Sequence, residues 1–181
     1  MKAIFPGSFD PVTLGHLNLI KRGTQLFDQI IVAVLNNPAK SPLFTIQERI
    51  DLLLEATKDI SGIQIESYNG LLAEFAKKHK ARYILRGIRT EADCAYEIPM
   101  IQANRKLADG PETVLLVAEP TYAYISAKLI REIAAAGYAC GGSGVGSSDG
   151  TETSVDSGFD DGVLDQWVTP AVKNMLKRKY L

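Results

Sequence analysis

The chain has 181 residues, 46% of them hydrophobic and 23% charged, which are ordinary globular values and exclude a disordered chain, a collagen-like repeat or a long coiled coil. No apolar run approaches the about 18 residues of a membrane span, and Met1–Gly7 is too short and broken for a signal peptide, so the sequence predicts a cytoplasmic protein with no membrane partner. Basic and acidic residues nearly cancel at net −1, which argues against nucleic acid as partner.

That mean hides a split. Six acids and no Lys or Arg lie between Gly137 and Gln166, which leaves the rest of the chain at +5. Such a basic body raises the local concentration of small anionic substrates. Cys94 and Cys140 stand in unlike contexts, with no spacing that suggests a disulfide framework or a zinc site, and both are read as free thiols.

Short β-branched runs alternate with helical patterns over the first 136 residues, the mark of parallel βα units. In chain order the predicted strands are Lys2–Phe5, Gln29–Leu35, Ile63–Tyr68, Arg82–Leu85 and Thr113–Ala118. Between them, helical spacing links Leu17, Ile20, Leu26 and Phe27, then Ile50, Leu53, Leu54 and Thr57, then Leu71, Leu72, Phe75 and Ala76. Glu91–Leu107 is a longer helix that Pro99 should kink or divide, and a last pair of helices falls near Ser126–Ala136 and Pro170–Lys179. The fold class is therefore α/β: a Rossmann-like, doubly wound sheet of five mainly parallel strands with flanking helices, whose ligands bind beyond the C-terminal strand ends.

Residues 1–181 read as a single domain with one exception. Gly137–Gly162 holds 8 of the 15 glycines with five serines and four aspartates, a composition that predicts a mobile insertion, at about 137–165, before the C-terminal helix. The run Asp156–Asp161 misses the calcium-loop template, because Gly158 takes its third position.

The chemistry starts where the first strand runs through Pro6-Gly7-Ser8-Phe9-Asp10-Pro11 into Thr13-Leu14-Gly15-His16 and a helix begins. Such a turn presents unpaired N–H groups to an anion; Gly15 permits close backbone approach, and His16 can donate a hydrogen bond to a phosphoryl oxygen without acting as a nucleophile. Arg86 and Arg89 follow the fourth strand around Gly87, and Lys40 follows the second, so three strands deliver anion-binding groups to one edge. His79, among lysines, reads as a solvated helix end, and Trp167 as an anchor for the final helix.

Ser8-Phe9-Asp10-Pro11 with Thr13-x-Gly15-His16, then Arg86-Gly87-x-Arg89, Tyr96-Glu97 and Tyr124-Ile125-Ser126, resembles bacterial phosphopantetheine adenylyltransferase over residues 1–136 and again over 167–181. Thr-x-Gly-His is shared across nucleotidyltransferases, whereas Arg-Gly-x-Arg followed by Tyr-Glu at this spacing is narrower. The resemblance implies transfer of AMP from ATP to 4′-phosphopantetheine, giving dephospho-coenzyme A and pyrophosphate in coenzyme A biosynthesis, with Mg2+ held largely by phosphate oxygens and water rather than by protein side chains. It further implies a homo-oligomer, typically a hexamer.

By position, the resemblance assigns His16 as transition-state stabiliser, with Lys40 and Arg89 also catalytic, and Ser8, Lys40, Leu72 and Arg86 to phosphopantetheine. ATP would contact Ser8, Phe9, His16, Gly87, Ile88, Arg89 and Glu97 and the stretch Tyr122, Ala123, Tyr124, Ile125, Ser126, Ala127 and Lys128. The chain departs from the family twice: it reads Ile125-Ser126-Ala127-Lys128 where members carry two further hydroxyl residues, and it carries the Gly/Ser/Asp insertion. Two alternatives are a sister nucleotidyltransferase using another phosphate acceptor or CTP, and a nucleotide-binding sensor without turnover.

Overall fold

Each of the five β-branched runs forms a strand: β1 (Lys2–Gly7), β2 (Gln29–Leu35), β3 (Ile63–Tyr68), β4 (Tyr83–Ile88) and β5 (Glu112–Val117). The structure, a computed structural model, describes residues 1–36, 41–107, 110–140 and 164–180, with the backbone alone for 137–140. The strands lie in the order β3-β2-β1-β4-β5 and every neighbouring pair is parallel. The chain winds outward from β1 to β3, then returns to place β4 on the other side of β1. The switch point between β1 and β4 opens a crevice at their C-terminal ends, Gly7 and Ile88, where such sheets bind ligands.

Helices α1 (Leu14–Gly23), α2 (Ile46–Thr57), α3 (Leu72–Lys78), α4 (Glu91–Lys106), α5 (Ala127–Cys140) and α6 (Pro170–Tyr180) cover the sheet. Period-two alternation along the strands divides the core. Ala3, Phe5, Val32 and Val34 pack with Leu19 and Ile20 of α1, Leu53 of α2, Ile130 of α5 and Leu176 of α6. Ile4, Ile31 and Ala33 on the opposite face pack with Phe75 and Ala76 of α3. At Gly87 an added Cβ would stand 2.2 Å from Leu19 Cδ1, so any larger residue there would force the Leu19 side chain of α1 to move.

Several expectations shift. β1 and β4 run on to Gly7 and Ile88, which carries them to the crevice itself. In α2 the buried stripe is Arg49, Leu52, Leu53 and Thr57, while Leu54 is exposed. Pro99 neither divides nor ends α4: the carbonyl that loses its partner is that of Ala95, an exposed residue, so water can satisfy it. Helix α5 extends in backbone to Cys140 and Leu164 is buried in the core; of the insertion expected at about 137–165, residues 141–163 lie outside the described ones.

His79 is not a solvated helix end. Its ring lies 4.3 Å from that of Phe75, and its Nε2 is 3.2 Å from Glu66 Oε2 on β3. Trp167 does anchor the C-terminal segment: it packs against the core, and its carbonyl accepts the Leu14 N–H at 2.8 Å, tying that segment to the start of α1.

Candidate active site

Asp10, Thr13, Arg49, Thr57 and Glu97 are the buried polar or charged residues described; Thr13 and Glu97 line the crevice, Asp10 follows Ser8 and Phe9 in its first turn, and Arg49 bonds the Ser8 carbonyl. A buried polar group is costly unless partnered, and the partners of these residues hold the site in place. The crevice is an open pocket of about 340 Å³, walled by Ser8, Gly15, His16, Arg86, Gly87, Arg89, Glu97, Tyr122 and Ile125 to Ala127 among others.

Thr13 caps α1, and His16 completes a reciprocal pair: the His16 N–H donates to Thr13 Oγ1 at 3.2 Å, and the Thr13 N–H donates to His16 Nδ1 at 3.1 Å. A nitrogen that accepts an N–H bond carries no proton, so the imidazole is the Nε2–H tautomer. Burial, with the positive charges of Arg89 and Arg86, holds its pKa at about 4, so the ring is neutral at physiological pH. The rings of Phe9 and Phe5 support it edge-on at 5.1 and 6.4 Å.

The anion-binding capacity of α1 is narrower than its sequence suggests. In its first turn the Leu14 N–H goes to Trp167, that of His16 to Thr13 Oγ1, and that of Leu17 to the Thr13 carbonyl. The Gly15 N–H has no acceptor among the described residues. An added Cβ on Gly15 would meet Thr13 Oγ1 and Tyr122 Cβ at 3.5 Å, ordinary contact, so packing alone does not demand glycine there.

Facing α1 across the pocket is the start of α5. Ser126 caps it by accepting the Leu129 N–H at 3.1 Å, while the N–H groups of Ala127 and Lys128 find no acceptor among the described residues. These backbone donors point out of the first turn and are kept whatever side chains replace the missing hydroxyls. The Lys128 ammonium is largely exposed, 3.6 Å from Glu132 Oε1, and is not part of the pocket wall.

The two arginines are fixed by carboxylates. Arg86 Nε donates to Glu97 Oε2 at 2.9 Å and its Nη2 to Glu97 Oε1, while Nη1 donates to the Pro6 carbonyl at 2.8 Å. Arg89 Nε and Nη2 donate to Asp93 Oδ2 and Oδ1 at 3.0 and 3.2 Å, and Nη1 donates to the Ile125 carbonyl at 3.2 Å. Arg89 holds the Asp93 carboxyl below the usual range. Each guanidinium thereby presents a fixed edge with donors to spare.

The pocket thus gathers Ser8, His16, Arg86, Gly87, Arg89, Glu97, Tyr122, Ile125, Ser126 and Ala127. Phe9 lies beneath it, its ring against His16. Leu72, Ile88, Ala123, Tyr124 and Lys128 stand off its wall; Leu72 packs against the core cluster that includes Tyr68 and Phe75, and Tyr124 against Trp167 at 5.8 Å. Lys40 lies outside the described residues. No local sequence pattern marks Arg49, which donates to the Ser8 carbonyl at 2.9 Å, or Arg131, whose Nη1 lies 3.3 Å from Asp10 Oδ2; both contacts are long-range.

The sequence pattern of the cytidylyltransferase-like family matches residues 4–133. The phosphopantetheine adenylyltransferase of Caldanaerobacter subterraneus subsp. tengcongensis is 54% identical over 132 residues, 73% of this chain and 82% of the relative. That of Prochlorococcus marinus is 48% identical over 137 residues, 76% and 87% of the two chains. Among solved structures, a Plasmodium falciparum nicotinic acid mononucleotide adenylyltransferase complexed with NaAD superposes with a TM-score of 0.66 at 15% identity, covering 99% of this chain and 95% of its own; at that identity it speaks for the fold alone.

Proposed function

Because the chain belongs to the phosphopantetheine adenylyltransferases, within the cytidylyltransferase-like nucleotidyltransferases, we propose that it transfers AMP from ATP to 4′-phosphopantetheine and releases pyrophosphate. The acceptor's phosphate oxygen attacks the α-phosphorus of ATP, the bond to the bridging oxygen breaks, and pyrophosphate leaves with that electron pair. The observation that carries the chemistry is His16, a neutral imidazole with Nε2–H free for the pocket, held by a capping box in which Nδ1 is already an acceptor.

A neutral donor aimed at developing charge on the α-phosphate stabilises the transition state without forming a covalent intermediate. Arg86 and Arg89, with the Gly15, Ala127 and Lys128 N–H groups, neutralise and orient the phosphates. Phosphopantetheine is assigned to the side of Ser8, Lys40, Leu72 and Arg86, and ATP to that of His16, Arg89, Glu97 and the start of α5. Asp93 and Glu97, the carboxylates on the pocket wall, are both engaged by arginines, and no cluster of three metal-ligating side chains occurs among the described residues. These two carboxylates, already paired, leave no free donor set for a resident metal on the pocket wall, and Mg2+ is assigned to the phosphates of ATP, as part of the substrate.

No helix among the described residues is long and apolar enough to cross a membrane, which accords with action in the cytoplasm. Tyr96, Ile98 and Met100 expose apolar surface on α4, as does Val117 on β5, which supports assembly with copies of the same chain, as a hexamer by family resemblance; light scattering checks the number. Pyrophosphate release with ATP and 4′-phosphopantetheine tests the activity. Release only with CTP or another acceptor would mark a sister enzyme, and ATP binding without release from any acceptor would mark a sensor.

A further inference from the structure

Beneath the pocket, three segments of chain meet at one carboxylate. Asp10 is buried, its Oδ2 accepts the Leu43 N–H at 3.0 Å and its Oδ1 the Phe44 N–H at 2.9 Å. Arg131, in the second turn of α5, lies 3.3 Å from Oδ2 through Nη1, and the same nitrogen donates to the Asp10 carbonyl. The turn after β1, the approach to α2 and the body of α5 are thereby fixed to one another.

Stability alone does not call for such a group, since a buried ion pair often does no better than apolar side chains of the same volume. What it supplies is direction. Ser8 and Phe9 immediately precede Asp10, and Phe9 holds a left-handed backbone, φ 47°, which persists in a non-glycine residue only where the surroundings over-determine it. The Phe9 ring stands 5.1 Å from that of His16. At the other end, Arg131 is one turn beyond Ala127, whose N–H opens on the pocket.

Building on the adenylyl-transfer reading, we propose that the Asp10–Arg131 ion pair is a positioning joint: it fixes the Ser8–Phe9 turn, and through Phe9 the His16 ring, against the start of α5. Arg131 acts through these neighbours and touches no reacting atom. Misplacing a catalytic group by a fraction of an ångström lowers the rate while leaving much of the binding intact.

Arg131→Met removes the charge and keeps the bulk, and Arg131→Lys restores the charge. The expected result is that Arg131→Met lowers kcat about tenfold or more, with KM for each substrate changed less than about threefold, and that Arg131→Lys recovers most of the loss. In the ligand-free protein the His16 Hε1 resonance shifts in Arg131→Met and returns in Arg131→Lys, a readout that needs no turnover. A lowered melting temperature with kcat and that resonance unchanged would make the pair a brace only and overturn the proposal. Should Arg131→Met not fold, Arg131→Gln is read by the same two criteria. A parent protein that releases no pyrophosphate would sink the activity reading, while the His16 resonance would still decide the joint.

Discussion

The two rims of the pocket are built on opposite plans. On the β1–α1 rim the polar side chains are committed to partners: Thr13 to His16, Asp10 to the Phe44 N–H and to Arg131 reaching over from α5, and Arg49 to the Ser8 carbonyl. Across the pocket, Tyr96 of α4 and Tyr124 just before α5 are 71% and 55% exposed, and the free donors at the start of α5 are backbone N–H groups. On the proposed mechanism, the group that meets the transition state is therefore placed before substrate arrives, whereas the side proposed for the nucleotide gains its contacts from the ligand. Preorganisation is worth most where charge develops and least where a flexible ligand is merely held.

The sharpest way to break this contrast is at His16. His16→Ala should lower kcat about 10²–10³-fold, about 2.7–4 kcal/mol of transition-state stabilisation, with ATP affinity changed far less. Steady-state kinetics beside direct ATP titration separate the two. Turnover within about threefold of the parent would remove His16 from the mechanism and dissolve the difference between the rims.

Next is the pH dependence of stability. The unfolded imidazole titrates at its ordinary 6.5 and the folded one at about 4. Between those values the unfolded chain binds a proton that the folded chain does not, so this contribution to stability is intact above pH 6.5 and is lost as pH falls towards 4. The loss is at most about 3 kcal/mol, reduced by the water that an open pocket admits to the ring. Urea midpoints across that range, for the parent and His16→Gln, should show a shallower acid slope in the variant. Identical slopes would mean that the ring is solvated and not held neutral by the fold.

Thr13→Val tests the capping box on the same rim. It removes Oγ1 but keeps the backbone N–H that sets the Nδ1 tautomer, so it should cost about 1 kcal/mol in stability and only several-fold in kcat. A kcat loss as large as that of His16→Ala would transfer control of the tautomer from the Thr13 backbone to its hydroxyl.

The strands and the Thr13-x-Gly15-His16 corner were legible because local signals set them: β-branched runs, a cap and a turn. The committed partners were not. Arg49 meets Ser8 across 41 residues and Arg131 meets Asp10 across 121, and no local pattern marks such pairs. Arg49 also misleads the periodicity of α2, because its charge sits in the buried stripe that it shares with Leu52 and Leu53, so the apolar spacing points instead to Leu54. His79 misleads for the opposite reason. Its sequence neighbours are lysines, but its partners Phe75 and Glu66 lie one helical turn back and on the edge strand. The α5 start was half legible: the missing hydroxyls are visible in the sequence, whereas the surviving N–H donors of Ala127 and Lys128 appear only with the helix boundary.

A smaller effect is expected from shortening the segment between α5 and Leu164. Its Gly/Ser/Asp composition offers few apolar groups, and the entropy of loop closure changes slowly with length. A short Gly-Ser link in place of 141–162 should change stability by less than about 1 kcal/mol and leave turnover intact, as read by urea unfolding and pyrophosphate release. Lost turnover or altered assembly would give the segment a role in the site or in an interface.

The smallest effect tests the open rim directly. The substitution of family hydroxyls by Ala127-Lys128 suggests that the lysine compensates with a charge, in which case Lys128→Ala would raise the KM for ATP about tenfold or more. The structure places that ammonium on the outer flank of α5 beside Glu132, at 3.6 Å, while the pocket wall is made by Ser126 and Ala127. The surface pair is too weak to hold the lysine in place, so its position away from the wall reflects where the first turn aims the side chain. The N–H groups of Ala127 and Lys128 are the donors proposed for the phosphates, and Lys128→Ala keeps both. The expected rise in KM is therefore about threefold or less at low ionic strength, from the lost field alone, and it should vanish in high salt. A rise of about tenfold that shrinks with salt would show instead that ATP draws the lysine away from Glu132 and onto its phosphates, making this rim another place where the nucleotide assembles its own contacts.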